Sequence, residues 1–380
     1  MNKTFVQDLG LAAASFFLCL IVIVAGSKLY ARKLGIRDPS FRYESKINMW
    51  QSEPAIGFIN KPHFSGFSFG CVHVQTNEWG FRGSGHTLLT KREGVVRIVS
   101  MGDSVMWGVG VNKEDSIPGL LEKDLNNDSL YEVINASVVG YSSYQELLYL
   151  QNYVLPLNPD IVLINYCKND ILPTEDAFKN ARAIHIQYLN HLLGRPDLAF
   201  TPEEKAGIKR LIHIFGSAKH IWNTWDALQT REPNLFHLAR KVLVEIPVAE
   251  MAELSRESGV RLIYIFIPPR SDRTEYASVA DKLQKLLVQR GAEFLDLQSA
   301  LVPSKNELAR PMWMNVSGFG WIRPRELREI LILRSMRTVH NRDIYFDSVH
   351  PTKKGNAIIA EHIYHYLTET STVKATDMPK

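Results

Sequence analysis

The sequence predicts a three-layer α/β/α domain built on a doubly wound parallel sheet of about five strands, and three observations carry that expectation. Five short runs rich in β-branched and aromatic residues recur along the chain: Val95–Ser100, Tyr131–Ala136, Ile161–Tyr166, Val260–Ile267 and Glu293–Leu297. Most are apolar at successive positions, as strands covered on both faces must be. Stretches with helical periodicity separate them, which makes the connections crossovers and the sheet parallel.

Each element has its own local reason. The stretch Ile117–Leu125 carries Pro118 in its first turn, where a missing N–H costs nothing. A second helix is expected over Tyr144–Tyr153. The strand Ile161–Tyr166 is introduced by Pro159 and Asp160 and is almost uninterrupted in its apolar character. Helical periodicity then runs from Leu238 to Ser258, with a break or kink expected at Pro247. A helix over Tyr276–Arg290 follows, and Pro351 and Thr352 open the last one. Two long stretches, residues 171–236 and 303–342, interrupt the alternation and contain Trp222, Trp225, Trp313 and Trp321. Insertions at the carboxyl ends of strands suit a lid or substrate wall, and equally extra core or a partner interface.

Upstream, Leu9 to Gly26 ("LGLAAASFFLCLIVIVAG") has no charged residue and approaches the ~20 residues that cross a bilayer. It reads as an N-terminal transmembrane anchor within residues 1–30; a cleaved signal peptide is the alternative, because Ala25, Gly26 and Ser27 are small. Lys28, Arg32, Lys33 and Arg37 follow the run and only Lys3 precedes it, a bias that favours a cytoplasmic C-terminal part. Residues 31–90 read as a stalk and a small β-rich extension, in which Ile56–Gly83 is rich in aromatics and glycine. The α/β domain occupies 91–370, and 371–380 is a tail.

Composition narrows the function. Of 380 residues 45% are hydrophobic and 22% charged, and the net charge of +4 is too small and too dispersed to indicate a nucleic-acid surface, so no nucleic-acid partner is expected. Three cysteines exclude a disulfide scaffold. Cys19 lies in the apolar run, so Cys71 and Cys167 are the one candidate pair. Glu361, His362 and His365 lack the spacing of a zinc-hydrolase helix and fit an amphipathic face, so no metal is expected. Neither a dinucleotide-binding glycine pattern nor a Gly-x-Ser-x-Gly elbow surrounds Ser104, and no cofactor is expected.

The first strand stops at Gly102-Asp103-Ser104, where an open α/β sheet places its reactive groups. A serine needs a base, and the base needs an orienting group. "DSVHPTKKGN" supplies Asp347 three residues before His350. The second strand runs into "NASVVGYSS", where Gly140 can turn its amide, and the third into "NYCKND", where Asn169 offers a side-chain donor. A capping aspartate, a plain turn and a helix cap are the bland readings of the same residues.

In this order the four pieces resemble the SGNH hydrolases of the GDSL lipase/esterase superfamily, from about Asn77 to Tyr366. "TNEWGFRG" is also similar to a segment that precedes the first strand in bacterial members. The resemblance implies a flavodoxin-like fold, Ser104 as nucleophile, His350 as base and Asp347 as its orienting acid. It further implies an oxyanion hole from the Ser104 and Gly140 amides and the Asn169 side chain, with Asp103 structural. One departure is Cys167, which stands where the family usually has glycine; a positive φ there would be strained.

What the resemblance implies is a serine-dependent ester hydrolase acting on an O-acylated cell-envelope carbohydrate or lipid. An O-acyltransferase, or an inactive carbohydrate-binding or scaffolding module, would carry the same residues. Trp79, Trp107, Tyr141 and Tyr144 could stack on a sugar or simply fill core. Anchored relatives imply an extracytoplasmic domain, against the charge bias. A transferase would need a membrane-bound acyl donor as partner, and nothing in the sequence names one.

Overall fold

The computed structural model describes residues 49–68, 72–125, 130–171, 179–217, 227–270, 273–303, 343–345 and 349–371, with Ser15 and Val22. The candidate anchor Leu9–Gly26 apart from Ser15 and Val22, together with Cys71, the four tryptophans of the insertions, Asp347 and the side chain of Asn169, therefore lies outside the described residues. Among the described residues no helix is long and apolar enough to cross a membrane.

The described chain opens with two antiparallel hairpins, β1 (Trp50–Glu53) with β2 (Gly57–Asn60) and β3 (Ser65–Ser68) with β4 (Val72–Gln75). Then come β5 (Val96–Ser100), α1 (Ser104–Trp107), α2 (Ile117–Leu125), β6 (Tyr131–Asn135), α3 (Ser143–Tyr149) and β7 (Ile161–Tyr166). The first insertion contains α4 (Lys179–Leu193) and α5 (Pro202–Ser217). After it follow α6 (Pro233–Arg240), α7 (Ile246–Glu257), β8 (Arg261–Phe266), α8 (Arg273–Val288), β9 (Glu293–Asp296) and α9 (Lys353–Ser371).

Strands β5 to β9 form one parallel sheet in the order β6-β5-β7-β8-β9. Their side chains alternate between two apolar layers. Ile98, Ile161, Leu163, Ile263 and Ile265 join α2 and α9 on one face. Val99, Val162, Ile164, Leu262, Tyr264 and Phe266 join α3, α7 and α8 on the other. A period of two is what a pleated strand imposes, and burial on both faces explains why the sequence runs were continuous rather than alternating. The fold is the expected three-layer doubly wound sheet of the flavodoxin-like type.

Two helices meet their prolines in the same way. Leu150–Val154 widens into a π turn before Pro156, and Lys241–Glu245 does so before Pro247. A proline ring clashes with the carbonyl four residues earlier and withholds a donor, and the extra residue in the wider turn relieves both. The break expected at Pro247 is thus an absorbed defect: Glu245 keeps helical angles, φ −63 and ψ −42, and α7 continues from α6.

The described part of the first insertion is core. Leu189 and Leu192 of α4 and Ile208, Leu211 and Phe215 of α5 belong to the same apolar cluster as α3 and α7.

Candidate active site

Strand β5 hands the chain to Ser104 through a turn that only glycine fits easily. Gly102 has φ +136, and a Cβ there would fall 2.4 Å from Asn165 Oδ1 of β7. Asp103 then caps α1, its Oδ1 accepting from the Val105 amide at 3.0 Å. The same oxygen accepts from Asn165 Nδ2 at 3.3 Å. Asp103 is therefore occupied in shaping the turn, in keeping with a structural role. Helix α1 ends after one turn because Gly108 adopts φ +83 and returns its amide to Ser104 and Val105.

The turn is clamped from below by Arg82. Its guanidinium donates to the carbonyls of Trp107, Gly108 (2.8 Å) and Val111 (2.5 Å), and lies over the Trp107 ring at 5.3 Å. Burial pushes this group down to about 10, with Glu114 and Asp115 opposing, so it stays charged at neutral pH. The role of the arginine in "TNEWGFRG" is thereby physical: it supplies donors to the carbonyls that a one-turn helix leaves exposed.

From the other end of the chain comes His350. Thr352 caps α9, accepting from the Gly355 amide at 3.2 Å and donating its own N–H to the Ile344 carbonyl at 2.8 Å. Gly355 packs so close to Ile344 that a Cβ would meet its carbonyl oxygen at 2.3 Å. This pinned corner sets His350 Nε2 at 2.8 Å from Ser104 Oγ, across 246 residues of sequence. Ser104 is 7% exposed, so the hydroxyl is shielded from bulk water yet not sealed. A second contact, 3.1 Å to Asp103 Oδ2, competes for the same hydroxyl proton.

The remaining residues are placed as follows. Gly140 stands at the third position of a turn closed by the Tyr141 amide on the Val138 carbonyl (3.3 Å), with φ +87. That is a type II turn, which demands positive φ there. The turn is tied to the nucleophile by Val138 N–H on the Gly102 carbonyl at 2.9 Å. Asn169 lies in the short 3-10 turn Lys168–Ile171 at the end of β7. Cys167 is buried and is not among the non-glycine residues with positive φ, so the strain expected at this position does not arise. Its amide donates to Asp170 Oδ2 at 3.0 Å.

Two groups that sequence reasoning did not single out are Glu146 and Asn165. Glu146 of α3 and Asp170 are fully buried, and neither Glu146 oxygen has a hydrogen-bond partner among the described residues. Burial, then the nearby Asp103 charge, holds the Glu146 carboxyl well above the usual carboxylate range. Burial, then Glu146 and Asp103, raises Asp170 in the same way, against the pull of the Cys167 amide. The signal in the sequence was a charged residue on the apolar side of a helix, in "SYQELLY". Val105, Tyr166, Cys167, Ile267, Pro268 and Val349 are among the residues that line a small cavity of about 10 Å³, which neither Ser104 nor His350 lines. Of the candidate stacking aromatics, Trp107 and Tyr141 are core residues and Tyr144 is stacked on Tyr188 at 3.8 Å, while Trp79 is 36% exposed. Among the described residues no His, Cys, Asp and Glu group could hold a metal.

No curated protein matches the chain in sequence. Similar solved structures include TesA, at 15% identity and a TM-score of 0.38 over 72% of this chain and 98% of that one. A GDSL-like lipase from Bacteroides thetaiotaomicron matches at 16% identity and 0.33, over 72% and 88%. A catalytic mutant of an acetylxylan esterase from Geobacillus stearothermophilus matches at 14% and 0.37, over 72% and 94%. A sequence profile of the GDSL-like lipase/acylhydrolase family matches residues 100–358, which runs from the end of β5 into α9 and takes in both Ser104 and His350. By that match over more than half of its length, the chain belongs to the GDSL-like lipase/acylhydrolase family.

Proposed function

We propose that the chain hydrolyses a short-chain acyl ester, carried on a cell-envelope carbohydrate or lipid, through an acyl intermediate on Ser104. The observation that carries this reading is the 2.8 Å approach of His350 Nε2 to a shielded Ser104 Oγ. As Ser104 Oγ bonds to the carbonyl carbon, its proton passes to Nε2 and the carbonyl oxygen becomes an oxyanion. The Ser104 and Gly140 amides and the Asn169 side chain are the donors for it. Collapse breaks the ester C–O bond and returns the proton to the leaving alcohol. Water then attacks the acyl-serine with His350 again as base, releasing the acid and restoring Ser104. Asp347 orients the imidazole throughout.

The small acyl group is proposed because the cavity next to Val105 and Val349, near neighbours in the chain of Ser104 and His350, is only about 10 Å³, and comparing acetate with octanoate tests that choice. Cell-envelope placement rests on the apolar run Leu9–Gly26, which would hold the domain at the membrane; the extracytoplasmic side rests on the family resemblance alone and runs against the flanking charge bias.

The test uses the full chain in mild detergent with p-nitrophenyl acetate, p-nitrophenyl octanoate and a fluorescent phosphonate. Wild type is expected to turn over acetate in preference to octanoate and to take up one phosphonate, and Ser104→Ala to do neither. A folded wild type that neither turns over nor labels would refute the reading.

A further inference from the structure

The turn that carries Gly140 is gripped from two sides by elements that have no part in the chemistry. On one side is β2. Asn60 Nδ2 donates to the Ser137 carbonyl at 3.0 Å, the Tyr141 hydroxyl donates to the Phe58 carbonyl at 2.6 Å, and Gln145 Nε2 donates to the Ile56 carbonyl at 3.0 Å. Three alternate residues of one hairpin edge thus hold three points along residues 137–145, on either side of Gly140.

On the other side is α4. His185 Nδ1 lies 2.7 Å from the Ala181 carbonyl, which can only accept, so Nδ1 carries the proton. Nε2 is then the acceptor, and the Ser142 hydroxyl at 2.7 Å donates to it. Ser142 also caps α3 with a capping box to Gln145. Serine and histidine are both buried, so this second Ser–His pair has no route to substrate, and a backbone carbonyl stands where a catalytic histidine would have a carboxylate. Burial lowers His185 to about 4, which keeps the required neutral tautomer across the neutral range. The two grips also lock on each other: Gly57 adopts φ +98, and a Cβ on it would fall 2.8 Å from Ala181 Cα.

We infer that His185, Ser142 and Tyr141 are positioning residues for the Gly140 amide, fixing the turn between β2 and α4 where a donor to the developing oxyanion is needed. The inference rests on the proposed serine-hydrolase reading. Catalysis by such donors depends on their being held in place before charge develops, so a loosened turn lowers the rate of the chemical step with little effect on substrate binding.

The experiment measures kcat and KM for p-nitrophenyl acetate and for its thionoester, whose sulfur accepts amide hydrogen bonds poorly, in the full chain. Variants are His185→Leu, His185→Gln, which keeps an acceptor for Ser142, and Tyr141→Phe, which removes the bond to Phe58 and keeps the ring. For His185→Leu the ester kcat is expected to fall about 10- to 100-fold, below the 10²–10³ of deleting a donor outright. KM should change less than about twofold, and thionoester turnover should change far less than ester turnover, so that the ester preference shrinks. Tyr141→Phe should show the same signature more weakly, and serves alone if His185→Leu does not fold. His185→Gln should recover most of the loss. Ester and thionoester rates falling in equal proportion, or folded variants with unchanged kcat, would overturn the inference while leaving the serine-hydrolase reading intact. A wild type inert to both esters and to phosphonate would instead remove that reading, and the inference with it.

Discussion

Replacing Arg82 by methionine tests whether the nucleophile turn is held from outside the α/β domain. Methionine keeps the aliphatic stem and loses the fork. The carbonyls of Trp107, Gly108 and Val111 then lose their guanidinium donors in a site where Arg82 is only 4% exposed. Asn135 Nδ2 approaches the Trp107 carbonyl at 3.4 Å and is a poor substitute. Each buried acceptor stripped of a charged donor costs about 1–2 kcal/mol, and loss of the contact over Trp107 adds up to about 1. Recovery of the arginine's own desolvation offsets part of this, which leaves about 3–5 kcal/mol, as for other buried charges whose partners are separated. For a domain of this size that is roughly 8 °C in melting temperature. Because the three carbonyls belong to the end of α1 and the loop behind it, Ser104 should also drift from His350. Phosphonate labelling is therefore expected to slow by more than about tenfold at a temperature where the variant is still folded. Arg82→Lys should recover less than half of the stability, since one ammonium cannot reach three divergent carbonyls. An R82M protein that melts within about 2 °C of wild type and labels at the wild-type rate would refute the clamp.

Two further predictions concern the ground beneath the site. Glu146 and Asp170 have carboxyls raised by burial, so from unfolded values of 4.5 and 3.8 up to their folded values the native state holds more protons than the unfolded chain. Stability should fall with rising pH there, by about 1.4 kcal/mol per pH unit for each proton, and level off once the folded groups ionise. Glu146→Gln removes one of the two groups: its melting temperature should decline less steeply between pH 5 and 6, and identical slopes would contradict the assignment. Gly102→Ala adds a Cβ 2.4 Å from Asn165 Oδ1 at φ +136, and should both lower the melting temperature and slow phosphonate labelling by at least about tenfold; a neutral result would mean the turn can relax without moving Ser104.

How much of this was legible in the sequence depended on the range of the interactions. The five strands of the sheet were visible within two residues at each end, because strand burial on both faces writes an unbroken apolar run. Ser104, Gly140 and Asn169 could be picked out because each sits just beyond such a run, and His350 because a short motif opens a helix. The π turns before Pro156 and Pro247 were half legible: proline announces a defect, but whether the helix breaks or widens is decided by packing on both sides. Glu146 was passed over because a lone glutamate in a helix reads as solvated, and only the tertiary fold puts it at zero exposure. Likewise nothing local to His185 says that its ring nitrogen will meet Ser142, 43 residues earlier.

The same contrast of ranges bears on where the functional unit begins. The family profile starts at residue 100, and the apolar alternation starts only a few residues before it. Yet Arg82 satisfies three carbonyls just past the nucleophile, Asn60 and the backbone of Ile56 and Phe58 hold the loop after β6, and Gly57 seats α4. None of these groups could be replaced by solvent without admitting water beneath the nucleophile and the Gly140 turn. A chain cut at residue 90 would keep every strand of the parallel sheet and every residue proposed for the chemistry, but would expose Tyr141, Trp107 and the carbonyls that Arg82 serves. Strand β2 and Arg82 are therefore built into the interior beneath the α/β sheet, and the sheet that carries the proposed reacting groups is only one of the two things that place them.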